Sequence, residues 1–364
     1  MHRDSPAPPE RMARVRAMLH ELDVDALLFL DMKNVRYLTG FTGSDGALVI
    51  GNKQEILLVD GRYTNQARKE VEGPRVFEYK DKEKIDGIAA ILSDGSLRSV
   101  GFESQAMNVN TYLNLTEKLG GLKLNPMSDQ IGALRAVKDE KEIAFIKKAA
   151  EISCEALTAV RDLIRPGVRE KDIAIELDFL MRRRGAEQVS FPTIVASGAN
   201  SAQPHAQPGS RAIENGDMVI VDCGAVYCGY HSDETCTFAV GYKDKKQEEA
   251  YSLVKTAHDR ALEAVKAGIP CVEIDRIARE CIETGKLGKY FTHGTGHGVG
   301  LDVHEAPRIA SNSEMVLEAG MVLTVEPGVY IPDLWGVRIE DMILVKEEGC
   351  EVLTKVSKDF TVLH

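Results

Sequence analysis

Glu214-Asn215-Gly216-Asp217-Met218-Val219-Ile220-Val221-Asp222-Cys223-Gly224 and Glu318-Ala319-Gly320-Met321-Val322-Leu323-Thr324-Val325-Glu326-Pro327-Gly328 read as two copies of one segment. A shift of 104 residues places Glu214 on Glu318, Gly216 on Gly320, Val221 on Val325, Asp222 on Glu326 and Gly224 on Gly328. Each copy continues into a second run of strand type. Gly229-Tyr230-His231-Ser232-Asp233 follows the first, and Gly336-Val337-Arg338-Ile339-Glu340 follows the second. A shift of 107 aligns Gly229 with Gly336 and Asp233 with Glu340. Four acids thus arise as two equivalent pairs. Gathering four carboxylates in one place is costly unless cations neutralise them. The duplicated acids therefore predict a two-metal site.

The repeat extends to helices. Asp139-Glu140-Lys141-Glu142 reads as a helix start, with Asp139 as N-cap and Glu142 three residues on. A long amphipathic helix runs from there to about Leu163, Arg165-Pro166-Gly167-Val168 breaks it, and a second helix covers Glu170 to Arg184. Lys266-Ala267-Gly268-Ile269 marks the same break in the second half. Asp172-Ile173 and Glu273-Ile274, 101 residues apart, open the next helices. Each half is then two helices followed by strands. Two halves related by a pseudo-twofold predict an antiparallel sheet backed by helices on one face.

The region before this unit reads differently. Pro9 to Glu21 keeps a 3.6 period through Met12, Val15, Met18, Leu19 and Leu22, which predicts a helix. Asp25–Leu30 and Glu55–Asp60 are apolar runs of strand type, and Gly40–Gly46 is a glycine-rich loop. Strand and helix signals alternate to about Met127, which predicts a smaller α/β domain with a mixed sheet. The boundary falls between Asn125 and Lys138. The expected domains are 1–127 and 128–364.

Composition bounds the partners. At 364 residues the chain suits two domains. A net charge of −11 and the lack of a Lys/Arg-rich block argue against a nucleic-acid surface. No run of 18 apolar residues is present, so no membrane-spanning helix is expected. Met1 to Glu10, with three prolines and no apolar stretch, reads as a loose tail rather than a signal peptide. The seven cysteines form no C-x-x-C pair and read as reduced thiols in a cytoplasm. Strand alternation points Cys223 away from the face of Asp222, and Cys236 away from that of Asp233. Both read as small buried apolar residues.

Val219-Ile220-Val221 leads into Asp222, which sets that acid near the end of a buried strand. Asp233, Thr235 and Thr237 share one face of the next. Glu340 lies in an otherwise apolar segment, where an unpaired carboxylate is expensive. His293-Gly294-Thr295-Gly296-His297-Gly298-Val299-Gly300-Leu301-Asp302-Val303-His304-Glu305 holds three of the nine histidines. Its glycines argue against a helix and predict a strand with a bulge beside the metals. Pro204-His205-Ala206-Gln207-Pro208 matches Val303-His304-Glu305-Ala306-Pro307, so His205 and His304 correspond across the repeat. Four carboxylates and one imidazole suit Mn2+, Co2+, Fe2+ or Zn2+. Bridging carboxylates would hold two such ions roughly 3.5–4 Å apart, with a shared water acidified to hydroxide. The sequence contains no G-x-S-x-G, P-loop or complete dinucleotide fingerprint.

At these motifs the chain resembles the pita-bread-fold metallopeptidases, the family of aminopeptidase P, prolidase, methionine aminopeptidase and creatinase. The resemblance is strongest from about Asp139 to Thr354. It implies an α+β protein: a C-terminal pita-bread domain of duplicated halves behind a smaller creatinase-type α/β domain. It implies metal ligands Asp222, Asp233, His297, Glu326 and Glu340, with Asp233 and Glu340 bridging and Glu326 also moving the proton. His205 and His304 resemble the family's non-ligand histidines, which steady the scissile carbonyl and the tetrahedral intermediate. Arg338 resembles the arginine beside the bridging glutamate.

Asn34-Val35-Arg36-Tyr37-Leu38-Thr39-Gly40-Phe41-Thr42-Gly43-Ser44 and Asp60-Gly61-Arg62-Tyr63 resemble the N-terminal domain of the proline-specific members. One departure stands out. The family's Ser-Asp-x-Thr-Arg-Thr is here Ser232-Asp233-Glu234-Thr235-Cys236-Thr237, so Cys236 replaces a cation while the ligands stay.

The resemblance implies a dinuclear exopeptidase, Mn2+ first among its metals, that releases the N-terminal residue from Xaa-Pro peptides. Its expected partners are proline-containing peptides and a second copy of the chain, since relatives are commonly dimers. The Gly40–Ser44 segment leans the reading to an Xaa-Pro aminopeptidase. Xaa-Pro dipeptidase is the alternative, and a metal-free peptide-binding module is the reading from another class.

Overall fold

A computed structural model describes residues 9–52, 54–79, 83–93, 97–128 and 130–364. Most of the segment read as a loose tail, 1–8, lies outside them. The chain forms two compact units, one ending at Leu134 and the other spanning Arg135–His364. The expected division after Met127 coincides with the end of a strand, Lys123–Met127, and the helix Gln130–Ala136 follows it.

The first unit opens with the helix Pro9–Glu21. Its sheet has six strands, in the order Arg75–Glu78, Glu55–Val59, Ala47–Gly51, Ala26–Phe29, Ser99–Glu103, Lys123–Met127. The pairing is mixed, antiparallel in the middle and parallel towards both edges. Ala26-Leu27-Leu28-Phe29 is buried throughout, as a strand covered on both faces requires. The helix Met32–Thr39 is fixed at both ends. Asp31 accepts from the Lys33 N–H, and Gly40 takes φ 76°, a left-handed stop that favours glycine.

In the second unit each half of the repeat packs its own helix pair on its own strands. The first pair is Glu140–Val160 and Glu170–Arg183, and the second is Lys245–Ala264 and Cys271–Thr284. Asp139 and Glu142 form a reciprocal capping box, worth about 1 kcal/mol to the helix start. Ile152, Leu157, Ile173 and Leu177 pack with Val219, Val221 and Phe238 in one core. Val254, Ala261, Ile274 and Ile282 pack with Leu323, Val325, Ile343 and Val345 in the other.

Strand alternation then decides where the acids go. Val219, Val221 and Cys223 face the helices, so Asp222 faces away. Leu323 and Val325 face the helices, so Glu326, next after them, faces away too. Ile343 and Val345 face in, which puts Asp341 on the helix side and Glu340 on the open side.

The two larger of the second unit's hydrogen-bonded sheets carry the join, beside a three-stranded sheet of Gln188–Val189, Ala225–Tyr227 and Tyr230–His231 and a two-stranded one of Gly328–Ile331 and Trp335–Arg338. Of the two larger, one runs Val362–Leu363, Glu234–Val240, Met218–Cys223, Ile194–Ser197. The other runs Glu305–Ile309, Gly296–Gly298, Val322–Val325, Asp341–Val345, Cys350–Val352. At the join, Glu340 donates its backbone N–H to Thr235 O at 3.2 Å. The glycine-rich histidine segment is a short strand, Gly296–Gly298, with a register shift after His297. That is the bulge the glycines predict. Among the described residues no helix is long and apolar enough to cross a membrane.

Candidate metal centre

The open face of the join collects the repeat's acids. Asp222 lies in the strand Met218–Cys223, and Glu326 directly follows the strand Val322–Val325. Asp233 and Glu340 each precede a strand by one residue. The same local geometry thus delivers one pair from each half. Asp233, His297 and Glu340 each offer a ligand atom within 4.8 Å of the others. His297 Nε2 is 3.6 Å from Asp233 Oδ2 and 3.4 Å from Glu326 Oε1. Asp222 is held across the join by Arg338, whose Nη2 donates to Asp222 Oδ2 at 2.6 Å. The structure therefore brings together Asp222, Asp233, His297, Glu326 and Glu340.

The electrostatics fit a bound cation. Burial first, and then the neighbouring acids, raise the proton affinity of Asp233 and Glu340 well above the carboxylate range. Burial also raises that of Glu326, against the pull of His293 and Arg338. Burial lowers that of His297, which leaves its imidazole free to bind a metal. Asp222 Oδ1 is buried and has no hydrogen-bond partner among the described residues. A buried carboxylate oxygen without a donor is expensive, and a metal ion bound there would satisfy it. The donor set of oxygens and one imidazole suits a hard or borderline divalent ion.

Arg338 organises the centre. Its Nε donates to Thr235 Oγ1 at 3.1 Å, and its Nη1 donates to Tyr330 OH at 2.8 Å and Pro204 O at 3.2 Å. Thr235 Oγ1 in turn donates to Glu340 Oε2 at 2.6 Å. The Asp222 and Glu340 carboxylates are thereby tied through one guanidinium and one hydroxyl. His304 stacks edge-on to His297 with ring centroids 4.2 Å apart. Loss of water, and then His297 and His205 nearby, hold its ring below the usual value. His205 is exposed one residue beyond Pro204, on the same side. The loop behind His304 is clamped by Glu305, which pairs with Arg135 and, at 2.8 Å, with Lys138.

Reading the sequence left four residues of this site without a role. His293 Nε2 lies 2.9 Å from Tyr330 OH, extending the arginine's chain of hydrogen bonds. The signal was the first histidine of His293-x-x-x-His297. Tyr330 and Thr235 carried only a signal of position, four residues after Glu326 and two after Asp233. Arg308 pairs with His297 across the bulged strand. Directly opposed residues share a face, so this exposed cation stands beside the candidate ligand. It makes no ion pair among the described residues.

The cysteines stay apart from the metal face. Cys223 is fully buried, which raises its thiol well above the usual range. Burial pushes the Cys236 thiol up to about 12. The cation expected to be missing at Cys236 is supplied from elsewhere in the chain: Lys358 Nζ lies 3.3 Å from Cys236 Sγ.

Comparison with known proteins identifies the fold's relatives. Residues 144–347 match the metallopeptidase family M24, and residues 11–137 match the creatinase/prolidase N-terminal domain. The Xaa-Pro dipeptidase of Pyrococcus furiosus is 39% identical over 350 residues, 96% of this chain and 99% of that one. A solved Xaa-Pro dipeptidase from Bacillus anthracis superposes with TM-score 0.95 at 40% identity, covering 98% of this chain and 99% of that one. An X-Pro aminopeptidase from Thermotoga maritima superposes with TM-score 0.89 at 36% identity, covering 97% and 100%.

Proposed function

We propose, on the premise that this chain belongs to metallopeptidase family M24 and carries a creatinase/prolidase N-terminal domain, that it hydrolyses Xaa-Pro dipeptides. Membership makes the chain a peptidase, a metal-dependent hydrolase of the exopeptidase type, on a pita-bread fold. Asp222, Asp233, His297, Glu326 and Glu340 would hold two divalent ions, Mn2+ first among them. Such a pair supplies an acidified water and polarises the scissile carbonyl.

The protein's own groups do the rest. Thr235 and Arg338 orient Glu340 and Asp222 before substrate arrives. Glu326, which neighbours His297 and Thr324 Oγ1, would take a proton and return it to the leaving nitrogen. The ring of His304, held neutral by loss of water, keeps one N–H, which would steady oxygen charge as the carbonyl turns tetrahedral. His205, close enough to His304 to act on its ring, would share that task.

The choice of a dipeptide rests on Arg308. A dipeptide bound with its scissile carbonyl at the metals ends in a carboxylate one residue away. Arg308, opposite His297 on the same face and free of any ion pair among the described residues, is the cation such a carboxylate would meet. Relatives named as Xaa-Pro dipeptidases support the same reading. The sequence lean to an aminopeptidase remains as the second reading, and the Thermotoga neighbour favours it.

The deciding experiment is hydrolysis of Ala-Pro and Ala-Pro-Ala by Mn2+-loaded protein. Preference for Ala-Pro supports the dipeptidase, and cleavage of Ala-Pro-Ala alone supports the aminopeptidase. Hydrolysis of neither, with no stoichiometric metal retained, would return the chain to a peptide-binding module.

A further inference from the structure

Behind the metal centre, on the helix side of the strands, lies a second charged cluster. Lys358 is 7% exposed, and its Nζ is 2.7 Å from Glu234 Oε1 and 3.5 Å from Asp341 Oδ1. These acids are the immediate neighbours of Asp233 and Glu340. Because side chains alternate along a strand, the acid pair facing the metals and the acid pair facing Lys358 lie on opposite sides of the same two segments.

Each rear carboxylate is also held from its own half. Cys154, on the helix Glu140–Val160, donates to Glu234 Oε2 at 3.0 Å. His258, on the helix Lys245–Ala264, lies 3.2 Å from Asp341 Oδ2, and Thr354 donates to Asp341 Oδ1 at 2.6 Å. Among the described residues, Lys358 is the group that touches both acids. Its segment is itself fixed, since Tyr251 OH donates to Lys358 O at 3.0 Å.

We propose that Lys358 is a positioning residue for the metal pair: by drawing Glu234 and Asp341 together from behind, it sets the separation of Asp233 and Glu340 in front. This inference rests on the metal-pair reading of the site. At the join one backbone bond, from Glu340 N to Thr235 O, crosses between the halves beside these acids. In front, two buried carboxylates repel across that join once both are ionised to take up metal. Behind, one cation attracts two carboxylates across it. A spacing fixed at 234 and 341 is passed on to 233 and 340, one residue of about 3.3 Å away along each chain. Lys358 thus holds the apo site at the spacing an ion pair needs, and metal binding is spared the work of closing the join.

The plain alternative is that Lys358 only compensates two buried acids. Three variants separate the roles: Lys358→Met, Lys358→Arg, and the charge-balanced triple Lys358→Met/Glu234→Gln/Asp341→Asn. Mn2+ is titrated into metal-stripped protein by calorimetry, pairing of the ions is read by electron paramagnetic resonance, and Tm is recorded. The expected result for Lys358→Met is about tenfold or greater loss of affinity for the second Mn2+, with the coupled-pair spectrum replaced by that of isolated ions. Lys358→Arg, which can still reach both acids, keeps the pair spectrum. The triple variant recovers Tm without recovering the pair.

A triple variant with parental Mn2+ affinity and pair spectrum would overturn the proposal, and it carries the test if Lys358→Met does not fold. Parental protein that binds no Mn2+ pair overturns the metal-site reading and this inference together. Parental protein that binds a pair, with variants indistinguishable from it, removes the role of Lys358 alone.

Discussion

Arg338 and Asp222 come from opposite halves of the duplicated unit, and Nη2 of one donates to Oδ2 of the other across 2.6 Å with both side chains buried. This contact satisfies one Asp222 oxygen and leaves Oδ1 without a partner among the described residues, where a metal would bind. The guanidinium also serves Thr235, Tyr330 and Pro204 through its remaining nitrogens. A lysine keeps the charge but has one nitrogen and no fork. Arg338→Lys is expected to lower kcat/KM about 100-fold, equivalent to two charged hydrogen bonds weakened at the site, with Tm lower by about 5 °C. Steady-state kinetics beside a thermal melt checks this. A variant with near-parental kcat/KM would show that charge alone suffices.

Arg308 gives a test of substrate length. If it meets the carboxylate of the proline residue, Arg308→Gln should raise KM for Ala-Pro about tenfold or more, the usual worth of a charge-assisted hydrogen bond. Ala-Pro-amide has no such carboxylate and should change little. Michaelis parameters for the two substrates, on both proteins, decide it. Equal losses on acid and amide would remove the carboxylate contact and weaken the dipeptidase reading.

His258 predicts a slope in stability with pH. Burial works against its charged ring. Asp259 Oδ1 at 3.1 Å and Asp341 Oδ2 at 3.2 Å outweigh this, so its proton affinity is raised above the usual 6.5. The folded state then binds more protons than the unfolded state, and stability falls as pH rises. The contribution is complete below about pH 6.5 and is lost as pH climbs through the higher folded value. Melts of metal-stripped protein from pH 6 upwards should show a decline that His258→Gln lacks. Parallel curves for the two proteins would place the ring's titration elsewhere.

The repeat made much of this legible. Asp222/Glu326 and Asp233/Glu340 could be paired from spacing alone, because the strands that carry them alternate and the helices fix which face is inward. The bulge at His297 followed from its glycines. Arg308 could not be found that way, since its place depends on a register shift between two short strands. Lys358 was hidden for a different reason. It lies 124 residues from Glu234 along the chain, and a lysine near a C-terminus reads as solvated until its burial is seen. The antiparallel sheet expected from the duplication is divided into four hydrogen-bonded sheets, with one parallel pair at Val362–Leu363, a division set by hydrogen bonds that no hydrophobic pattern records.

Gly296 ties local backbone to the metal site. A Cβ there would lie 2.0 Å from Thr324 O and 2.8 Å from Thr324 C, both backbone atoms of the neighbouring strand. Backbone cannot swing aside as a flexible side chain can, so the strand Gly296–Gly298 must move. Thr324 Oγ1 accepts from His297 N at 3.1 Å and lies 3.4 Å from Glu326 Oε1, so the shift pulls His297 and Glu326 apart. Gly296→Ala should cost about 1–3 kcal/mol or more and weaken Mn2+ binding at least about tenfold. Gly120→Ala, where a Cβ meets nothing within 4 Å, serves as control and should match the parent. Melting temperature and an Mn2+ isotherm on each variant test the link. If Gly296→Ala binds metal like Gly120→Ala despite a lower Tm, the strand carries stability without placing His297.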